Sequence, residues 1–154
     1  MKYIIRKVVE KDYKYIMKLR EDFAKELGVK DKTSIRFVSI AMIQYLKSNT
    51  NYSLFVAEFK SNIIGNGLIN YYKIPPSTAN ISGIVGYISN VYVIKKYRGL
   101  GIGTEIMKKI LEDATKQGAG KIELLASKQG MEIYKKLGFQ IDTELTYMKK
   151  FIWD

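Results

Sequence analysis

The sequence contains neither cysteine nor histidine. The missing cysteine excludes disulfide bonds, thiolate metal ligands and a cysteine nucleophile. The missing histidine removes the most common general base, and with it every serine–histidine or cysteine–histidine pair. Any chemistry of this chain must therefore use tyrosine, serine, carboxylates, lysine, backbone dipoles or water.

Long apolar runs are also missing. No stretch reaches the roughly 18 apolar residues that a membrane-spanning helix needs. Arg6 and Lys7 interrupt the apolar stretch near the N-terminus, so it lacks the core of a signal peptide. We therefore expect a cytoplasmic protein with no membrane partner. The length of 154 residues suits one domain with its own core, and we expect a single domain over residues 1–154.

Acidic residues are few beside basic ones, 15 against 26, which gives a formal net charge of +11. Such a charge suits polyanions: nucleic acid, an anionic membrane or a phosphorylated cofactor. Only four of the basic residues are arginine, however, and arginine is the residue that reads phosphate and base edges best. We therefore rank nucleic-acid binding behind the interpretations that follow.

Hydrophobic spacing predicts two helices in the first third of the chain. Apolar residues recur at helical spacing from about Glu10 to Leu27, and Gly28 ends the run. A second helix is predicted to begin at a cap on Thr33 or Ser34. Its apolar stripe is predicted at Ile35, Val38, Met42 and Tyr45 or Leu46.

The remaining elements predict a mixed α/β sheet with helices on both faces. Strands are predicted at residues 2–9, 53–59, 63–72, 84–94, 121–126 and 146–153. Helices are predicted from about residue 101 and at residues 130–138. The strand–helix–strand order around the first of these implies a parallel crossover, whereas the hairpin turn at 60–62 implies an antiparallel part. The proline-containing loop 74–83 is either a lid or a surface connection.

Three glycines alternate directly after Arg98, at positions 99, 101 and 103. Neither a Walker A loop nor the dinucleotide fingerprint fits, because Thr104 and Ile106 stand where those motifs need lysine and glycine. The first N–H groups of the helix that starts here have no intrahelical partner, and the helix dipole adds positive charge. The pattern predicts an anion site. The alternative is a turn that merely lets helix and strand pack closely.

Two motifs resemble those of the GNAT family of N-acetyltransferases. The stretch Arg98–Gly103 (RGLGIG) is similar to the family's pyrophosphate signature, Arg/Gln-x-x-Gly-x-Gly/Ala. The stretch Ile133–Phe139 (IYKKLGF) resembles its second signature, a tyrosine-bearing helix that ends in Leu-Gly-Phe, and ISNVYV resembles its fourth strand. The resemblance implies a sheet of about six to seven strands in which the fourth and fifth splay apart.

The resemblance also implies acetyl-CoA as cofactor, no metal, and an amine acceptor that is a small molecule or a peptide. Tyr134 would be the general acid, and a bulged backbone N–H near Val91 would stabilise the oxyanion. The pantetheine arm would lie along Val91, Tyr92 and Val93. The pyrophosphate would be held by Arg98, Gly99, Leu100, Gly101, Ile102, Gly103 and Thr104.

Several points stay open at the level of sequence. Many family members carry a glutamate on the fourth strand as base, but this chain has Ser89 and Asn90 there. Glu58 or a water chain are the candidates to replace it. Ser127 either contacts the pantetheine or caps the helix at Gly130. The acceptor is not readable, a homodimer is expected from the family, and a non-catalytic acyl-CoA-binding module is the alternative function.

Overall fold

The structure, a computed structural model, describes residues 1–143 and 145–152. Two 3₁₀ turns, Glu10–Asp12 and Lys95–Tyr97, each precede a helix. The main elements, in chain order, are β1 (Ile4–Lys7), α1 (Tyr13–Glu26), α2 (Lys32–Ser48), β2 (Tyr52–Phe59), β3 (Asn62–Lys73), β4 (Ile84–Val93), α3 (Ile102–Lys116), β5 (Lys121–Leu124) and α4 (Met131–Lys136).

The five strands form one sheet in chain order, from β1 to β5. Neighbours among the first four strands are antiparallel, and β4 pairs with β5 in parallel across α3. The predicted mixed sheet, the parallel crossover and the hairpin are therefore confirmed. Lys60 and Ser61 form the hairpin turn with positive φ angles of 48° and 62°, as a primed turn requires.

The last predicted strand is wrong for the described residues. Residues 146–152 adopt no regular structure, and residue 153 lies outside the described part of the chain. Tyr147, Met148 and Ile152 are largely exposed. Strand propensity stabilises a segment only when a neighbouring strand and a packed face are present. The described residues consequently form five strands instead of the six to seven expected.

Helices cover both faces of the sheet. Four residues of α1 and α2, Ile16, Leu19, Met42 and Leu46, pack on one face against Leu54, Val56, Leu68 and Tyr92. On the other face, α3 buries Ile102, Ile106, Met107, Ile110 and Ala114 against Ala57, Ile64, Ile69 and Ile88. The site described below lies where both layers reach the end of β4.

Two details of α2 differ from expectation. Its cap is Asp31, whose carboxylate accepts hydrogen bonds from the backbone N–H groups of Thr33 (3.1 Å) and Ser34 (3.0 Å). Val38 is 40% exposed, while Ser39 is buried and donates its hydroxyl to the carbonyl of Ile35 at 2.8 Å. This hydrogen bond within the helix satisfies the buried hydroxyl, so the apolar face can include a serine.

The loop 74–83 is anchored at the start of β4. Ile74 N–H donates to the carbonyl of Gly83 at 2.8 Å, and buried Asn80 donates its side-chain amide to the carbonyl of Ile84 at 3.2 Å. Val91 lies seven residues further along the strand, about 23 Å away at 3.3 Å per residue. The loop therefore belongs to the opposite end of β4 from Val91, which argues against a lid.

Candidate active site

The parallel pair formed by β4 and the edge strand β5 separates halfway along β4. Their pairing runs from Val85 opposite Lys121 to Ile88 opposite Leu124, where β5 ends. β4 continues to Val93, and its last five residues have no strand partner on this side among the described residues. Backbone groups on this edge are therefore available to a ligand, as the splayed arrangement predicted, apart from the carbonyl of Val93, which accepts a hydrogen bond from Arg98 Nε.

A β-bulge interrupts β4 at the same point. On β3, Leu68 pairs with Ser89 but Asn66 pairs with Tyr92, so two residues, 90 and 91, face the single residue Gly67. Asn90 adopts a left-handed backbone with φ of 52°. A bulge takes a residue out of the ladder and redirects its backbone groups. The expectation of a bulge near Val91 is met.

The glycine at position 67 is required by the helix behind it. A Cβ atom added there would lie 2.6 Å from Ile106 Cγ2 and 2.9 Å from Ile110 Cδ1, both on α3. Real Cβ atoms do not approach so closely, so any larger residue would push α3 away from the sheet. The close packing of α3 therefore supports the bulge from the rear.

An open cleft of about 480 Å³ begins at the free edge of β4. This volume is within the usual range of small-molecule sites. The cleft runs from the end of β4 past the start of α3 to α4. Its lining consists of Phe23, Glu26, Val91, Tyr92, Val93, Tyr97, Arg98, Gly99, Gly101, Ile102, Gly103, Thr104, Ser127, Gln129, Gly130, Ile133 and Tyr134.

The glycine-rich stretch forms one wall of this cleft. Gly99 and Gly101 have left-handed φ angles of 77° and 79°, and a Cβ atom added at either would meet nothing within 4 Å. Glycine is needed here for its backbone conformation rather than for close packing, contrary to the packing alternative. The first intrahelical bond runs from Glu105 N–H to Gly101 O, so the N–H groups of residues 102–104 are free for an anion.

Arg98 is held on the rim of the cleft by three contacts. Its Nε donates to the carbonyl of Val93 at 2.9 Å, and Nη2 lies 2.6 Å from Glu26 Oε2. The guanidinium also lies over the ring of Tyr92, 5.4 Å from its centroid. Arg98 and Tyr92 together lower the pKa of the Glu26 carboxyl. Arg98 therefore stands beside the free N–H groups, with one carboxylate next to it.

Tyr92 contributes to the cleft differently from its neighbours on β4. Its side chain is 6% exposed and packs into the core beneath α1, where its hydroxyl donates to Glu26 at 2.8 Å. Burial and this carboxylate raise the pKa of Tyr92 to about 12.

Leu100 is 51% exposed and does not line the cleft. Leu100 is thus the predicted cofactor residue whose side chain lies apart from the others.

Tyr134 lies on α4 and faces the cleft. Its ring packs edge-to-face on Phe139 and folds back over Gly130, where a Cβ atom would lie 2.9 Å from the ring. Within the described part of the chain, its hydroxyl makes no hydrogen bond, so it remains able to donate to a ligand. Burial raises the pKa of Tyr134 above its ordinary value.

Ser127 and Glu58, whose roles the sequence left open, lie in different parts of the structure. Ser127 Oγ accepts a hydrogen bond from Gly130 N–H at 3.2 Å, in the turn that precedes α4, and Ser127 also lines the cleft, so both of its predicted roles stay predictions. Glu58 pairs with Arg6 Nε at 2.7 Å, in the region where β1 and β2 pair. Glu58 does not line the cleft, and its carboxylate already has a cationic partner.

Several lining residues were not predicted from the sequence. Phe23, Glu26, Tyr97 and Gln129 belong to no motif, and Ile133 lies in the second signature without a role assigned to it. A contact such as Glu26 with Arg98 joins residues 72 positions apart. Helical periodicity places Glu26 at the end of α1 but carries no information about what faces it.

The described residues contain no cluster of three or more acidic side chains that could hold a metal ion. Nor does any helix in the described ranges combine the length and apolar character needed to cross a membrane.

Comparison with known proteins finds related sequences and folds. The profile of the acetyltransferase (GNAT) family matches residues 16–139. A thialysine N-epsilon-acetyltransferase from Mus musculus is 38% identical over 87 residues, covering 54% of this chain and 48% of that protein. The chain thus spans about half the length of the curated relatives that it matches.

Solved structures are similar over nearly the whole chain. A predicted acetyltransferase from Clostridium acetobutylicum, solved with acetyl-CoA, has a TM-score of 0.81 at 28% identity and covers 96% of both chains. A GCN5-related N-acetyltransferase from Ralstonia eutropha JMP134 has a TM-score of 0.79 at 21% identity, covering 96% of this chain and 99% of that one. The second likeness concerns the fold alone.

Proposed function

The chain belongs to the GNAT acetyltransferase family, and on that premise we propose that it transfers an acetyl group from acetyl-CoA to a primary amine. The observation that carries this proposal is one cleft that joins the free edge of β4 to the left-handed glycines at the start of α3. An extended arm that ends in phosphates fits such a cleft, since it needs backbone partners along its length and N–H groups at its end.

The residues present fit acetyl-CoA. Val91 and Val93 lie on the unpaired edge of β4, where an extended arm can hydrogen-bond. The open space at Gly99 and Gly101 leaves the N–H groups of residues 102–104 accessible to a pyrophosphate. When bound, the cofactor would supply the acetyl group as a thioester.

Val91 is proposed as the electrophilic catalyst through its backbone. Because the bulge takes residues 90 and 91 out of regular pairing with β3, we infer that it leaves the Val91 N–H free to donate to the carbonyl oxygen of the thioester. Such a donor stabilises the negative charge that develops on this oxygen when the amine attacks. Loss of one donor of this kind costs roughly 3–4 kcal/mol in barrier.

Tyr134 is proposed as the general acid. Its hydroxyl faces the cleft and has no partner in the described residues, so it can donate a proton to the departing sulfur. Because burial raises the pKa of Tyr134, the proton stays on oxygen until charge appears on sulfur. An ordinary tyrosine, with a pKa near 10, is a weaker acid than a thiol with a pKa near 8.5, so proton transfer to the departing thiolate is uphill by about 2 kcal/mol, and the tyrosine donates only once charge has developed on sulfur.

The amine attacks directly in this proposal, within a ternary complex. The chain lacks cysteine and histidine, so neither can carry the acetyl group. The acceptor must lose a proton before attack, and Glu58 is occupied by Arg6. We therefore propose that a chain of water molecules near Ser89 and the β4 carbonyls carries this proton to bulk solvent.

Two measurements test the function. Acetyl-CoA and CoA, but not ATP or NAD, should raise the melting temperature of the purified protein by several degrees at a hundredfold excess over the dissociation constant. Release of CoA thiol should then depend on an amine, screened over thialysine, lysine, polyamines, aminoglycosides and peptides. Cofactor binding without thiol release for every amine would favour the acyl-CoA-binding alternative. Parallel double-reciprocal lines would overturn direct transfer.

Three further statements stay predictions: that residues 1–154 form one domain, that the protein is cytoplasmic, and that it dimerises. Analytical ultracentrifugation of the purified chain tests the last of these directly.

A further inference from the structure

The bulge in β4 is held by two side chains that have no role in the mechanism above. Asn66, on β3, is buried and donates its side-chain amide to the carbonyl of Asn90 at 2.8 Å. Arg20, on α1, donates Nη1 to the side-chain oxygen of Asn90 at 2.5 Å. Both contacts converge on the residue whose left-handed backbone makes the bulge. We call Arg20, Asn66 and Asn90 the bulge clasp.

Arg20 is unusual among the arginines of this chain. Arg6 and Arg98 each pair with a carboxylate, and Arg36 is exposed to solvent, whereas Arg20 is partly buried and no ion pair of it is found among residues 1–143 and 145–152. Its Nε is buried and has no hydrogen-bond partner in the same residues, and burial lowers the pKa of Arg20. Burying a cation without an anion is costly. Among the described residues, the hydrogen bond found for its side chain is the one to Asn90.

The surroundings leave the Arg20 guanidinium little freedom. It borders a cavity of only about 10 Å³, enclosed mainly by apolar side chains of α1 and α2 together with Asn66 and Tyr92. That space is close to the size of one water molecule. The guanidinium is therefore confined against Asn90.

The bulge is consequently fixed from both faces of the sheet. Ile106 and Ile110 close against Gly67 on the α3 face. Arg20 and Asn66 hold Asn90 on the other side. A non-glycine residue with positive φ is strained, and it persists only when its surroundings determine it. Such strain is common at active sites, where a backbone group must keep a defined direction.

We propose that Arg20 and Asn66 are positioning residues, which hold Asn90 so that the free backbone N–H at Val91 points into the cleft. The inference rests on the proposed function of that N–H. A catalytic donor must lie at hydrogen-bond distance from the position where charge develops, and a displacement of 1 Å can cost about 10²-fold in rate. The cofactor's phosphates would be held elsewhere, at the start of α3, so turnover should suffer more than affinity.

Two variants test the clasp from opposite ends. Arg20→Met removes the hydrogen bond but keeps a long apolar side chain, and Asn90→Gly removes the acceptor oxygen while permitting positive φ. Each should lower kcat at least tenfold and leave the acetyl-CoA dissociation constant, measured by calorimetry without amine, within about twofold. The double variant should be no more than about twofold worse than the worse single variant, because both remove one contact.

Controls separate positioning from stability. Arg36, an exposed arginine on α2, gives the matched variant Arg36→Met, which should retain wild-type kcat. Arg20→Lys keeps a charge and a donor and should recover part of the lost kcat. A purely structural role would lower the melting temperature without changing kcat of the folded enzyme. If Arg20→Met does not fold, Asn90→Gly carries the same test.

An NMR measurement keeps the clasp testable even without turnover. The ¹H–¹⁵N resonance of Val91 in the CoA-bound protein should shift in Arg20→Met but not in Arg36→Met. An unchanged Val91 resonance, or unchanged kcat in an active enzyme, overturns the clasp. A wild-type protein that transfers acetyl to no amine overturns the proposed function instead, so the two failures are distinguishable.

Discussion

The two halves of β4 differ although they belong to one strand. Residues 85–88 pair with β3 on one side and β5 on the other, whereas residues 89–93 have β3 as their only strand neighbour among the described residues, and 91–93 line the cleft. A strand bonded on both edges is a scaffold, because its backbone groups are already satisfied. With one edge free, the same backbone becomes a surface that binds an extended ligand.

Backbone strain also differs between the two halves of β4. In the closed half, Val85 and Ile88 are buried, and Gly86 lies against Ile69, where a Cβ atom would come within 2.7 Å. The open half contains the bulge and the left-handed Asn90. The regularly packed half of β4 therefore supports the sheet, whereas the irregular backbone occurs in the half that is proposed to take part in catalysis.

The largest effect is expected from removing the Tyr134 hydroxyl at the open half. Tyr134→Phe should lower kcat about 100-fold, since general acids contribute 10²–10⁴-fold. The acetyl-CoA dissociation constant should stay within about twofold, as measured by calorimetry. Tyr87→Phe, in the closed half of β4, is the matched control and should retain full activity. Wild-type turnover in Tyr134→Phe would return this side chain to a packing role.

The same hydroxyl predicts a pH dependence. Tyr134 can donate its proton only below its pKa, and burial raises that pKa above the ordinary value of a tyrosine. The logarithm of kcat should therefore show no decline due to this group at pH 8–9.5 and should fall only at higher pH. Stopped-flow measurement of thiol release from pH 8 upwards tests where this decline of kcat begins. A decline centred below pH 9 would assign the proton to another group.

A smaller effect is expected from closing the glycine wall of the cleft. Gly101→Val should weaken acetyl-CoA binding at least tenfold, because the side chain enters the open space before α3 and the left-handed backbone strains it. Gly28→Val is the matched control, since Gly28 also has positive φ, 84°, and an open Cβ position. Both variants should lose similar stability, so equal affinity losses would mean that strain alone is responsible.

A substitution near the start of β4 should change the free energy of unfolding but not kcat. Asn80→Ala removes a buried side chain that donates to Ile84 O, and it should cost about 1–3 kcal/mol of unfolding free energy in urea titrations. kcat should not change, because the loop lies about 23 Å along the strand from Val91. Exposed Asn62→Ala is the control and should cost less. A loss of kcat in folded Asn80→Ala would revive the lid interpretation.

The smallest effect concerns the carboxylate on the cleft rim. Glu26 is ionised at neutral pH, since Arg98 and Tyr92 lower its pKa, and it engages the arginine that a pyrophosphate would need. Glu26→Gln should therefore tighten acetyl-CoA binding about two- to fivefold, within the range of a surface ion pair. The gain should shrink in 1 M salt. Glu10→Gln, remote and exposed, should change nothing, and weaker binding in Glu26→Gln would refute this reasoning.

Much of the fold could be predicted because its signals are local. Apolar spacing predicted α1 and α3, and the turn at Lys60 and Ser61 was placed by the strands around it. The wrong prediction, a strand at 146–153, came from the same kind of signal. Local propensity cannot show whether a neighbouring edge is available, and residues 146–152 have none in the described structure.

The residues of the candidate site also differ in whether a local sequence signal predicted them. Family motifs named Tyr134 and the glycines, and these do converge on one cleft. They also named Leu100, whose side chain lies outside it. Phe23 and Glu26 reach the cleft from α1, and no motif marks them, because their place depends on how α1 packs on the sheet.

The sequence by itself determined the chemistry that is excluded, the periods of the helices and the glycine-rich start of α3. Each of these depends on residue type or on near neighbours along the chain. Only the tertiary structure decided where β4 separates from β5, that Asn90 is left-handed, and that Arg20, Asn66 and Glu26 meet this strand. These features join residues 24 to 70 positions apart, and contacts of that span exist only after the helices have packed on the sheet.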